Sequence, residues 1–329
     1  MNISSVIDII DGKLQNSPSV SFIYNIKTDA KKVIEGDLYL AKNIKDTQTA
    51  IKNGAFAIVH DFEIEVLDNE IAWIRVNSLE ETLIKLFRFK FSTFNLEVYY
   101  CDKVTFDLIN IYKALNKKIK MIFSNLESCV KIIENINEDE IFICSNEELI
   151  KSIYPNYKPF SKQTYKINNL IEHSLFETSF SYKEIFFHKL KLSSLYINQF
   201  LDVYNFFNLE LDLQKLMKLN HFKPIFVDKY LNIIDFGRSN KVIICQKNLE
   251  LILDEIKYLE EKYKYGKTIF ITPLFIENFN QQQIILEDIG NLKKVLKNEY
   301  FNALYIIGYD KSKIEDTLKL SSNETSELF

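Results

Sequence analysis

The chain has 329 residues, 47% of them hydrophobic and 26% charged, with 41 basic side chains against 45 acidic ones, a balance that excludes disorder and asks for more than one core. The net charge of -4 gives no whole-chain attraction to nucleic acid or a membrane surface. Only seven glycines are present, Gly12, Gly36, Gly54, Gly237, Gly266, Gly290 and Gly308, and no two lie closer than 18 residues. Phosphate-cradling loops need glycines close together, so GxGxxG, GxxxxGK[ST] and GxSxG are all absent.

The first segment, 1–91, opens with MNISSVIDII, which lacks the basic region of a signal peptide. The longest stretch free of Asp, Glu, Lys and Arg, Leu14 to Ile26, is too short and polar for a membrane span of about 20 residues. The expected location is the cytoplasm. Thr28 to Ala41 reads as a polar loop, a turn at Gly36 and a strand. Ile51 to Ala55 reads as a helix end with Gly54 as its stop, followed by a buried strand, Phe56 to Val59. Ile71 to Val76 is a second strand, and Ser78-Leu79-Glu80-Glu81 is a capping box before a helix carrying Leu79, Leu83, Leu86 and Phe87. These elements make a small α/β domain.

The row TDAKKVIEGDLYLA, residues 28–41, resembles the N-terminal signature of the Mur ligases, roughly T/S-D-S-R-x-V-x-x-G-D-L-F-V-A. AIKNGAFAIV and IAWIRVNSLEETLIKL are similar to the two blocks that follow it in that family. The likeness is greatest to the member type that adds D-Ala-D-Ala to UDP-MurNAc-tripeptide. It implies a bacterial α/β chain of three domains: a small N-terminal UDP-sugar-type domain over 1–91, a shortened central ATPase-like domain over 92–222, and a Rossmann-like domain over 223–329. In the family the first domain receives the UDP-sugar precursor, which points to Thr28, Asp29 and Lys31 as substrate-binding residues. Ala30 and Lys31 depart from the family's Ser and Arg, and Lys cannot make the two-pronged contact of Arg. A solvated loop with a structural turn is the other reading of these residues.

In the second segment Leu96 to Tyr100 makes a strand and Phe106 to Leu115 a helix. Between them, where the family has G-x-x-G-K-[ST], stands Cys101-Asp102-Lys103-Val104-Thr105. It has no glycine, and Asp102 adds negative charge where a triphosphate would sit. Lys103 and Thr105 read as residues without a function there. The segment has no recognisable acidic metal-ligand motif. Later, Phe180 to Ile185 and Leu190 to Phe207 resemble the strand and helix that end the family's central domain, with Asn208 near its usual Gly.

The third segment alternates. Val242 to Cys245 is a strand, and Asn248 caps a helix with Leu249, Ile252, Ile256, Leu259 and Tyr263 on one face and Gly266 as its stop. Thr268 to Thr272 is a strand, Ile285, Ile289, Leu292 and Leu296 mark a helix face, and Ala303 to Ile307 is a strand. Right-handed crossovers and a parallel sheet follow. The segment resembles the family's C-terminal domain, entered through Phe236-Gly237-Arg238. Its functional loops are replaced by Cys245-Gln246-Lys247-Asn248 and by Thr272 to Glu277. Gly266-Lys267-Thr268 mimics the end of a P-loop but follows a helix and precedes a strand, the reverse of what a P-loop needs. Ser321 to Glu327 reads as a polar, disordered tail.

Cys101, Cys129, Cys144 and Cys245 form no CxxC pair and read as buried thiols, and His60, His173, His188 and His221 form no metal-binding spacing. Phe186-Phe187 and Phe206-Phe207 read as core. No catalytic, cofactor-binding or metal residue is assigned. The expected function is a catalytically degenerate Mur-ligase-like protein of peptidoglycan precursor synthesis that binds a Mur ligase, another enzyme of that pathway, or a UDP-MurNAc-peptide. No cofactor is expected. The alternatives are a divergent ligase using ATP and Mg²⁺ to join a carboxylate to an amine, and a UDP-sugar-binding module.

Overall fold

The computed structural model describes residues 1–123, 126–161, 163–277, 283–296 and 299–323. It divides into two compact units, Met1–Lys162 and Gln163–Phe329, the division falling inside the segment 92–222.

The first unit begins with α1 (Ile3–Ile10), β1 (Lys13–Leu14), β2 (Ile26–Lys27), β3 (Leu38–Leu40), α2 (Ile44–Lys52), β4 (Ala57–His60), β5 (Ala72–Arg75) and α3 (Leu79–Ser92). The sheet order is β1-β5-β4-β3-β2, with β2 to β5 parallel and β1 antiparallel at the edge. The strands β3 and β4 are buried throughout, as covered parallel strands require. Ser78 caps α3 as its capping box predicts, accepting from the Glu81 N–H. A second sheet follows: β6 (Glu97–Tyr100), α4 (Lys103–Tyr112), β7 (Ile119–Ile122), α5 (Leu126–Glu134), β8 (Ile141–Cys144), α6 (Glu147–Ile153) and β9 (Lys158–Pro159), all strands parallel in the order β7-β8-β6-β9. The helix α3 packs against α1, α5 and α6, and one apolar core runs from Ile3 through Phe87 and Phe91 to Phe142 and Ile153.

The second unit opens with an antiparallel meander, β10 (Ile167–Ser174), β11 (Glu177–Tyr182) and β12 (Ile185–Leu190), and α7 (Ile197–Phe206). It continues with β13 (Pro224–Val227), β14 (Ile233–Ile234), β15 (Val242–Gln246), α8 (Leu249–Lys262), β16 (Thr268–Thr272), β17 (Gln283–Ile285), α9 (Leu292–Leu296), β18 (Ala303–Ile307) and α10 (Lys311–Asn323). The six-stranded order is β14-β13-β15-β18-β16-β17. The strands β15, β18, β16 and β17 are parallel, and the β13–β14 hairpin adds to β15 antiparallel.

Several expectations change. Ile285 to Leu296 is not one helix: Ile285 ends β17, and α9 begins only at Leu292. Between them Asp288 accepts from the Gly290 N–H at 2.9 Å and builds a short turn, Ile289–Asn291, that interrupts the helical period. Phe236-Gly237-Arg238 lies between β14 and β15, within the sheet rather than at its entrance. On α8, Leu249 is exposed, and Glu255 is buried with Ile252, Ile256 and Leu259. Phe187 is core, whereas Phe186 points outward because neighbouring strand residues face opposite sides. The expected tail is helical as far as Asn323, and the rest of it lies outside the described residues. All four cysteines are buried.

Candidate functional site

Thr28, Asp29 and Lys31 lie together on the loop between β2 and β3, within the first unit. Asp29 caps a short 3-10 turn, Ala30–Lys32: its carboxylate accepts from the Lys31 N–H at 3.1 Å and pairs with Lys32 at 3.4 Å. The Lys31 backbone bond is the chief cause of an Asp29 carboxyl held below its ordinary value. Thr28 and Asp29 are half-buried and Lys31 is exposed.

The signature residues around this loop have structural work. Asp37, fully buried, accepts from the Asn25 side chain at 3.2 Å and the Ile34 N–H at 3.1 Å. Asn53 donates to the Ala30 carbonyl at 2.9 Å, tying the turn to the end of α2. Gly36 sits at φ +93 with the Tyr24 ring against it, so a Cβ there would lie 2.1 Å from Tyr24 Cδ2. A side chain would be both strained and blocked. The Gly-Asp pair of the motif is therefore accounted for by the turn itself.

The second candidate is the start of α4. The expected helix began at Phe106; it begins three residues earlier, because Asp102 is its N-cap. The Asp102 carboxylate accepts from the N–H groups of Val104 and Thr105, each at 3.0 Å, and from the Thr105 hydroxyl at 2.7 Å. These are the orphan donors that a helix N-terminus offers to a phosphate. Lys103 bonds Asp107 at 2.8 Å one turn along the helix, and its ammonium lies 4.8 Å from the Phe106 ring centre. Donors, hydroxyl and lysine are all engaged by neighbours on the same helix, with no glycine to let a ligand approach. These residues do not fit ATP and Mg²⁺. Among the described residues no group of three or more His, Cys, Asp or Glu is arranged to hold a metal ion.

The loops after β15 and β16 are held by side-chain bonds within the second unit. Gln246 Oε1 accepts from the Asn248 N–H at 2.9 Å, and Lys247 pairs with Asp310 at 3.0 Å. In the loop after β16, Gln283 accepts from Ile276 N–H at 3.0 Å and donates to its carbonyl at 2.9 Å.

One polar centre was not foreseen. Glu255, 0% exposed, accepts from Tyr196 at 2.5 Å, Tyr305 at 2.6 Å and the Gln246 amide at 2.7 Å. Burial raises its carboxyl above the ordinary range, the three donors partly opposing that. The signal was present: Glu255 stands three residues after Ile252 and four before Leu259, on the apolar face. Such a residue is either buried and paired or misplaced, and here it is paired. The network joins α8 to β15, β18 and the turn before α7, with the His221 ring 6.5 Å from that of Tyr196.

Among the described residues no helix is long and apolar enough to cross a membrane. No protein-family model and no curated protein matches the sequence. Solved structures do. The crystal structure of the MurF ligase from Thermotoga maritima, in complex with ADP, aligns over 92% of this chain and 98% of its own at 14% identity, with a TM-score of 0.53. A crystal structure of MurF from Acinetobacter baumannii aligns over 98% of both chains at 11% identity, again with a TM-score of 0.53. Likeness at such identity speaks for architecture and not for chemistry. The chain has the Mur-ligase fold, MurF-like, as the residues of its N-terminal signature indicated.

Proposed function

We propose that this chain is a Mur-ligase-fold protein without ligase chemistry, which acts in peptidoglycan precursor synthesis by binding an enzyme of that pathway. The observation that carries the proposal is the Asp102 carboxylate seated on the Val104 and Thr105 donors. Phosphoryl transfer depends on positioning and on neutralising charge with backbone amides, lysine and metal ions. At α4 the amides face a fixed carboxylate, and Lys103 is neutralised by Asp107. An incoming triphosphate would have to displace Asp102 and leave that charge beside its own. Each missing component typically costs on the order of 10²–10³ in rate.

The test is phosphate release from ATP and Mg²⁺ in the presence of UDP-MurNAc-tripeptide and D-Ala-D-Ala. No release above background is expected. Turnover that disappears in Lys103→Ala would show the divergent ligase instead. Binding is tested with a purified Mur ligase by analytical ultracentrifugation, where a complex is expected and two independent species would count against the partner. A thermal shift produced by UDP-MurNAc-tripeptide and lost in Lys31→Ala would favour the UDP-sugar-binding module. A ligand at 100 times its Kd adds about 2.7 kcal/mol, enough to see.

A further inference from the structure

The second unit contains two adjoining cavities, of about 360 Å³ and 270 Å³, that share Lys262 and Tyr263 in their walls. Both lie at the amino ends of the parallel strands: Val242, the first residue of β15, lines one, and Asn302, just before β18, lines the other. Open α/β sheets ordinarily hold ligands at the carboxyl ends. At that end of this sheet the Gly308 N–H donates to the Gln246 carbonyl at 2.9 Å, and the Tyr309 hydroxyl donates to the Leu286 and Glu287 carbonyls at 3.1 Å.

The larger cavity has an apolar floor of Phe176, Phe226, Val242 and Tyr258, each less than a tenth exposed. Phe176 and Phe226 meet edge to face at 6.2 Å, so the floor is fixed by its own packing. Its charged rim is Glu172 and Lys262. Glu172 is engaged on both oxygens: one accepts from the Ser194 and Tyr258 hydroxyls, the other from Lys262 at 2.7 Å. Lys262 carries three donors and spends one on Glu172. The smaller cavity adds Lys264, which has no ion-pair partner among the described residues, and the ring of Tyr265, wholly exposed. The walls thus hold two ammonium groups against one carboxylate. The lining is therefore net positive, with Glu261 outside it also acting on Lys262, beside a rigid aromatic floor in a cavity of the volume usual for small-molecule sites.

We propose that these cavities form a binding site for a small anion carrying an aromatic ring, the ring on the Phe176–Phe226 floor and the anionic group between Lys262 and Lys264. The site lies outside the α4 region, so it stands or falls independently of the function proposed above.

Titration of the full chain with phenyl phosphate, followed by saturation-transfer NMR, tests it. Inorganic phosphate and benzyl alcohol serve as the two halves, and phenylacetate tells a carboxylate ligand from a phosphate one. Phenyl phosphate or phenylacetate is expected to bind about tenfold more tightly than either half, a difference of about 1.4 kcal/mol. Lys262→Gln and Lys264→Gln should each weaken it several-fold. Lys264 is exposed and has no ion-pair partner among the described residues, so its replacement tests charge with little disturbance of structure. Aryl anions that bind no better than inorganic phosphate, or binding unchanged in Lys264→Gln, would overturn the proposal.

Discussion

Asp102 holds Thr105 twice, accepting from its backbone N–H at 3.0 Å and from its hydroxyl at 2.7 Å. A carboxylate at an N-cap also interacts favourably with the helix dipole. Asp102→Ala should therefore cost about 1 kcal/mol, within the ~0.5–2 kcal/mol span of such caps. Urea denaturation measures the loss. The same variant should gain no thermal shift with ATP and Mg²⁺, since the glycines that admit a triphosphate are still missing.

His60 gives a pH dependence of known sign. It is fully buried in β4, with Nδ1 2.8 Å from the Phe62 carbonyl and Nε2 2.8 Å from the Gln15 side-chain amide. Burial is the main cause of a folded-state pKa below the ordinary 6.5. Below pH 6.5 the unfolded chain takes up a proton that the folded chain refuses, so unfolding is favoured. Stability from this group is present above 6.5 and falls as pH drops toward the folded value. The urea midpoint of wild type should fall more than that of His60→Gln between pH 7.5 and 5.5; equal slopes would remove His60 as the cause.

Glu255 works in the opposite direction. Its folded pKa lies above the ordinary 4.5, chiefly through burial. As pH rises past 4.5 the unfolded carboxyl ionises while the buried one keeps its proton, so this group's contribution declines toward the folded value. Glu255→Gln should flatten that decline. Glu255→Ala leaves Tyr196, Tyr305 and Gln246 without their acceptor and should cost about 2–4 kcal/mol near pH 4.5, the loss shrinking as pH rises. Denaturant titrations of both variants across pH 4.5 to 8 separate the two effects.

Asn208 ends α7 at φ +56, a conformation that Asn and Gly adopt most easily. Asn208→Gly should leave stability nearly unchanged, and Asn208→Ala should cost about 1 kcal/mol. Thermal unfolding of the pair checks it. A larger loss in the glycine variant would mean that the Asn side chain contributes a bond of its own.

Much of the fold was legible because local signals agreed with long-range packing. Ser78 with Glu81, Gly54 after α2, Asn248 before α8 and the apolar runs of β4, β16 and β18 each named an element that formed. The failures share a cause. Ile285, Ile289 and Leu292 fit a helical period by position, but periodicity cannot see Asp288 capturing the Gly290 N–H. Asp102 was read only as a charge opposing phosphate, and its role as a cap depended on bonding to Val104 and Thr105 that no spacing rule displays. Thr28, Asp29 and Lys31 were correctly placed on one loop, while the residues pinning that loop, Asn25, Asp37 and Asn53, emerge only from tertiary contacts.

The placement of the four thiols makes the molecule its own reporter of opening. Cys101, Cys129 and Cys144 lie in the first unit and Cys245 in the second. Burial pushes Cys129 and Cys144 up to about 11, Cys245 to about 12, and Cys101 higher still. A maleimide or iodoacetamide reagent at neutral pH can react only with molecules that have unlocked. Peptide mapping of the label would then clock the breathing of each half separately, without any engineered probe.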